Sequence, residues 1–118
     1  MVMKAEVCKT TIINREQVER IKASLPSKQD VSSLSEIFKV ISDPTRLQMA
    51  LALSVQELCV CDLAAIVNLS VSAISHQLRL LKSMKIVTNR KQGKMVFYKL
   101  DDQHIENLIK ESLVHIKE

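Results

Sequence analysis

One glycine in 118 residues, Gly93, gives this chain a single position at which the backbone can reverse tightly without steric cost. With only two prolines besides, sharp turns are scarce, which argues against an all-β fold and against the glycine-rich loops that cradle phosphates. An enzyme that uses nucleotides is disfavoured on the same ground. Aromatic residues are 3% of the chain against 47% hydrophobic, so the core must be built from Leu, Ile, Val and Ala, which favours helices. At this length one domain suffices, burying about two thirds of its unfolded surface around a single core.

The glycine stands in KQGK, between two runs of β-like content, Ile86 to Arg90 and Met95 to Leu100. This pattern predicts a hairpin with Arg90, Lys91 and Lys94 crowded at its tip. Upstream, the signals are helical. Residues 1–13 are unpatterned and read as a mobile arm carrying Cys8, and residues 14–118 form the folded domain. Asn14 can cap a first helix that ends near Pro26. Leu34, Ile37, Phe38 and Ile41 fall on one face of a second, and Asp43-Pro44 opens a third that runs through Leu47, Leu51 and Leu53. A shorter helical pattern, Cys59 to Val67, breaks at Asn68-Leu69 and resumes behind Ser70 as VSAISHQLRLLKSM.

Two helices joined by so short a turn make a helix-turn-helix. On a helical wheel Val71, Ile74, Leu78 and Leu81 lie on one side, with Ser72, His76, Arg79 and Ser83 on the other. Alone, such a polar stripe is a solvated surface. Followed by a basic hairpin, it has the arrangement of a winged helix, and the combination points to DNA. Val71, Ser72, Ser75, His76 and Arg79 are the candidates to face the major groove, where base edges can be read, and Arg90, Lys91 and Lys94 would address the backbone or minor groove. The net charge of +4 and isoelectric point near 9.1 suit a polyanionic partner. No apolar run approaches the length of a membrane span and the N-terminus carries no targeting pattern, so a cytoplasmic protein with no membrane partner is expected. Three cysteines, an odd number, favour reduced thiols or metal ligation over a disulfide framework.

The tail carries four side chains of ligand type: Asp102, His104, His115 and Glu118. If it is helical, the two histidines lie eleven residues apart, about 16 Å along the axis and roughly 20° around it. A zinc-like ion holds its ligands about 2 Å away, so one copy can offer Asp102 with His104, or His115 with Glu118, but never all four. Two antiparallel copies can offer all four, which implies a homodimer with metal between its subunits. Ile105, Leu108, Ile109, Leu113 and Ile116 give the same helix an apolar stripe suited to a twofold interface. Two imidazoles and two carboxylates make a borderline nitrogen and oxygen set suited to tetrahedral zinc, with cobalt as a substitute. Taken singly, each residue has a plainer role: Asp102 as a helix cap, the histidines as polar rim, Glu118 as a frayed end. The carbonyls of Leu81 to Lys85, at the end of the second helix of the pair, are expected to lack helical partners and so to offer an acceptor for the free nitrogen of His115.

Four segments together, ELCVCDL at Glu57 to Leu63, SAISHQLRLL at Ser72 to Leu81, RKQGKMVFYKL at Arg90 to Leu100 and the ligand tail, resemble the ArsR/SmtB family of metal-sensing winged-helix repressors. The likeness spans roughly residues 31–118. It implies a mainly α fold with a β-hairpin wing, a winged helix-turn-helix that dimerises through its first and last helices, represses metal-resistance operons and leaves operator DNA when metal binds. It also implies a role for Asp102, His104, His115 and Glu118 as an interfacial zinc site. Cys59 and Cys61 resemble the thiolate site of cadmium, lead and arsenic sensors, and Cys8 is similar to a cysteine that reaches that site from the other subunit. The chain departs from those patterns at Ile12 and Ala64, where the cadmium/lead and arsenic branches respectively have cysteine. Residues two apart on a regular helix point about 200° apart, so Cys59 and Cys61 can share an ion only where the helix begins or unwinds.

The resulting expectation is a dimeric repressor released by zinc or a related heavy metal. One rival is a sensor of arsenicals or oxidants through its thiols. Another is a basic metal-storage or transfer protein that does not bind duplexes. Four protein ligands leave zinc no open position for water, so catalysis is not expected.

Overall fold

The computed structural model describes residues 14–118; the proposed arm, with Cys8, lies outside the described residues. The described residues divide into two compact units, residues 14–32 and 33–118. In the first, α1 (Arg15–Ser24) is opened by Asn14, whose side chain accepts from the Gln17 N–H at 2.9 Å, and none of its residues is buried. A second helix, α2 (Lys28–Ile41), begins in this unit and ends in the next. It starts earlier than the apolar spacing indicates because the Ser27 hydroxyl accepts from the Asp30 N–H at 3.0 Å, a cap that polar residues conceal from a hydrophobic pattern.

The second unit holds α3 (Pro44–Val55), β1 (Leu58–Cys59), α4 (Val60–Val67), α5 (Val71–Ser83), β2 (Val87–Gln92), β3 (Met95–Leu100) and α6 (Gln103–Ile116). Asp43, Ser70 and Asp102 cap their helices, accepting from the N–H of Arg46, Ala73 and Ile105 at 3.0, 3.0 and 3.1 Å. Each satisfies one of the donors that a helix start leaves orphaned. The α4–α5 turn is made by Asn68 in the left-handed region (φ 59°, ψ 49°), which asparagine tolerates better than most residues.

A strand at Leu58–Cys59 is not foreseen by the sequence, which reads Cys59 as helical. It forms because β3 offers it a partner: Leu58 pairs Tyr98 and Cys59 pairs Phe97, both antiparallel. The sheet order is therefore β1-β3-β2, with the predicted hairpin as its larger part. The hairpin turns through Gly93 and Lys94, and only Gly93 has positive φ, at 64°. Glycine at the first of two loop positions is the pattern of a II′ connection, whose twist matches the strands.

Met49, Leu63, Ile74, Leu78, Leu81, Ile86 and Val87 are the fully buried centre of the core. Met49 escapes the Leu-based reading of α3, whose Leu47 and Leu51 are only partly covered. Two apolar stripes are buried over half their length only. On α2, Ile41 is buried while Leu34 and Phe38 remain 51% and 47% exposed. On α6, Ile109 is buried while Ile116 is 74% exposed. Phe38 and Ile116, with Ile41, Leu47, Leu51 and Leu113, line a groove of about 390 Å³.

The end of α5 corrects another expectation for two of the five carbonyls from Leu81 to Lys85. Lys85 takes φ 60°, and the chain folds back so that Ile86 N–H reaches the Leu81 carbonyl at 2.9 Å and Lys85 N–H the Lys82 carbonyl at 3.0 Å. Leu81 and Lys82 thus already have partners, as in other left-handed helix ends.

Two stability measurements check this architecture. Leu78→Ala removes a side chain with no exposed surface and should lower the unfolding free energy by about 2–5 kcal/mol in denaturant titration. Gly93→Ala meets no atom within 4 Å, so its cost is backbone strain alone, about 1–2 kcal/mol. A Gly93→Ala protein as stable as the parent would show that the turn relaxes to another type.

Candidate DNA interface and metal-ligand clusters

The position of α5 is fixed by its inner face. Ile74, Leu78 and Leu81 are fully buried, which leaves Ser72, His76 and Arg79 exposed and Ser75 half-buried. Val71, which the wheel groups with the apolar side, is 47% exposed because it occupies the first helical position, beyond the reach of the core. All five groove candidates therefore lie on the open side or its margin. Arg46 of α3 braces this helix: its Nε donates to the Val40 carbonyl at 2.8 Å and its Nη1 to Gln77 Oε1 at 3.0 Å. Lys82 Nζ donates to Asn89 Oδ1 at 3.2 Å, tying the end of α5 to β2. Sequence reasoning misses the Arg46–Gln77 and Lys82–Asn89 contacts, since the first joins residues far apart in the chain and the second joins a helix to a strand.

At the hairpin tip Lys91 and Lys94 are exposed. Arg90 is different. Its Nε lies 3.0 Å from both Glu57 carboxylate oxygens, its Nη2 is 2.7 Å from Oε1, and its Nη1 donates to Gln92 Oε1 at 2.7 Å. The guanidinium carbon sits 5.1 Å from the centre of the Phe97 ring. Hydrogen bonding from Arg90 holds the Glu57 carboxyl below its ordinary range, and the same bond raises the Arg90 guanidinium.

The four tail residues lie at the two ends of α6. Asp102 is the N-cap and uses Oδ1 for that bond; His104 is the second helical residue; His115 is in the last turn and Glu118 lies past the C-cap, Lys117. Both histidines are exposed, and neither imidazole makes a hydrogen bond among the described residues. No group of three or more potential ligands converges among the described residues. This donor set fits zinc in type, with the second oxygen of Asp102 available, but only as half-sites. Cys59 is buried at the end of β1, in extended conformation (φ −82°, ψ 167°), and Cys61 is exposed in the first turn of α4. The helix thus begins between the two thiols, the condition under which residues two apart escape the 200° separation.

Known proteins align with this arrangement. The family model described as "Bacterial regulatory protein, arsR family" matches residues 43–89, which contain α3 to the start of β2. A cadmium resistance transcriptional regulatory protein CadC homolog of Staphylococcus aureus is 42% identical over 98% of this chain and 96% of its own length. A transcriptional repressor SmtB homolog of Synechocystis is 41% identical over 95% of this chain and 85% of its own. The homodimeric winged helix-turn-helix DNA-binding domain of Mb0332 from Mycobacterium bovis superimposes with a TM-score of 0.72, at 21% identity, over 80% of this chain and 90% of that one. Sequence and fold agree: the chain belongs to the arsR family of bacterial regulatory proteins and is built as a winged helix-turn-helix.

Proposed function

We propose that this chain is a metal-responsive transcriptional repressor that binds operator DNA as a homodimer and is released by zinc or a related heavy metal. The observation that carries the reading is the two-sided character of α5, whose inner face is fully buried while Ser72, His76 and Arg79 stand open. A helix anchored so firmly can present base-reading side chains without losing order on contact. Val71 and Ser75 complete the groove-facing set, and Lys91 and Lys94 supply charge for phosphates. The names of the relatives, a cadmium resistance regulator and a transcriptional repressor, support the same function.

Dimerisation is supported by the open apolar halves of α2 and α6 and by the ligand geometry. Asp102 and His104 of one copy with His115 and Glu118 of the other would hold zinc, which when bound would cross-link the two α6 helices. The chain's own part is to hold the donors apart within each copy, so that only assembly completes a site. A second reading, ligation of cadmium or lead by Cys59 and Cys61 with Cys8, is favoured by the start of α4 between the two described thiols.

Binding of an operator and a random duplex tests the DNA half. Arg79→Ala should reduce the preference for operator by about 1–3 kcal/mol, while Lys94→Ala should weaken both duplexes alike and lower the salt slope by about 1. An unchanged operator preference in Arg79→Ala would remove that residue from the groove.

Zinc stoichiometry tests the other half. Up to two ions per dimer are expected, and His104→Ala or His115→Ala should damage both sites. A heterodimer of the two variants should regain one intact site, because one of the two sites then draws only on wild-type halves. No recovered site would mean ligation within a single chain.

A further inference from the structure

Arg90 is the cation of the wing least free to meet a phosphate. Its Nε and Nη2 edge grips Glu57, its Nη1 holds Gln92, and one face of its guanidinium covers Phe97. Cys59, Phe97 and Arg90 are in register across all three strands, so this side chain crosses the sheet from β2, over β3, to the residue before β1.

That line is also where the third strand stops. Beyond the Arg90–Phe97 pair, Lys91 pairs Val96 and Gln92 pairs Met95 with no β1 beside them. An isolated two-stranded ribbon is only marginally ordered in water. The Glu57–Arg90 bridge ties the last backed pair of the hairpin to the residue before β1, and so braces the root from which the unbacked part extends. Exposed ion pairs generally contribute little, but a bidentate arginine–carboxylate contact within a network is the exception.

We propose that Glu57 and Arg90 form a strut that sets the angle at which the wing presents Lys91 and Lys94 to DNA, so that both are positioning residues and Arg90 is not a phosphate contact. The inference rests on the repressor reading above. It has an unusual sign. Removing an acid from a DNA-binding protein should tighten binding by charge alone, whereas loss of the strut should weaken it.

The test compares wild type, Glu57→Gln, Arg90→Gln and the charge swap Glu57→Arg with Arg90→Glu, on operator duplex over a salt series. Both single variants should bind about fivefold more weakly, consistent with loss of one such pair. Neither should change the salt slope, and the swap should return to within about twofold of wild type. Amide exchange at residues 91–96 of the DNA-free protein should speed up in each single variant and slow again in the swap, a readout independent of any duplex. Equal or tighter binding by Glu57→Gln would overturn the strut, as would a fall of about 1 in the slope for Arg90→Gln or a swap weaker than either single variant. Wild type that binds no duplex in a salt-dependent manner would defeat the repressor reading itself, a distinct result from normal wild-type binding with unaffected variants.

Discussion

Burial of Ile74, Leu78 and Leu81 is the constraint on which the other features depend. These three side chains seat α5 among Met49, Leu63, Ile86 and Val87, and no surface of any of the seven is appreciably exposed. The rotation of α5 about its axis follows from that packing, and with it the direction of Ser72, His76 and Arg79. Cores this dense tolerate little adjustment, so the outward stripe is held by dispersion and apolar burial rather than by contacts of its own. Arg46 adds direction to this packing by joining the end of α2, the start of α3 and Gln77 of α5.

What the sequence revealed depended on how far apart the interacting residues are. Caps at Asn14, Asp43 and Asp102 are local chemistry, three residues from donor to acceptor, and were readable. The hairpin was readable because one glycine marks its turn. Strand β1 was not, since two residues have no periodicity and Leu58 becomes a strand only through Tyr98. The Glu57–Arg90 and Arg46–Gln77 contacts span 33 and 31 positions and leave no local mark. Amphipathic spacing gave the apolar faces of α2 and α6 correctly but not what covers them, and half of each face is open within the described residues.

The candidate sites divide along the same line. The candidates for the groove share one helix, so a single rotation sets the direction of all of them. The ligand tail could be read only as an incompatibility, four donors too widely spaced for one ion, and α6 retains that spacing with Asp102 and Glu118 outside its two ends. The thiol pair depended on where a helix begins, which β1 decides by keeping Cys59 extended. Among the described residues, the candidate metal ligands and the candidate groove-facing residues sit on different elements of one compact unit.

The central claim is that metal and operator oppose each other on this protein. Fluorescence anisotropy of a labelled duplex from the chain's own promoter, titrated with reduced protein with and without zinc at fixed salt, measures it directly. The account predicts that zinc weakens binding about 5- to 150-fold, that a chelator restores it, and that DNA weakens zinc binding by the same factor. Protein that carries two zinc ions per dimer in the tail sites and binds operator as tightly as the metal-free form would contradict it.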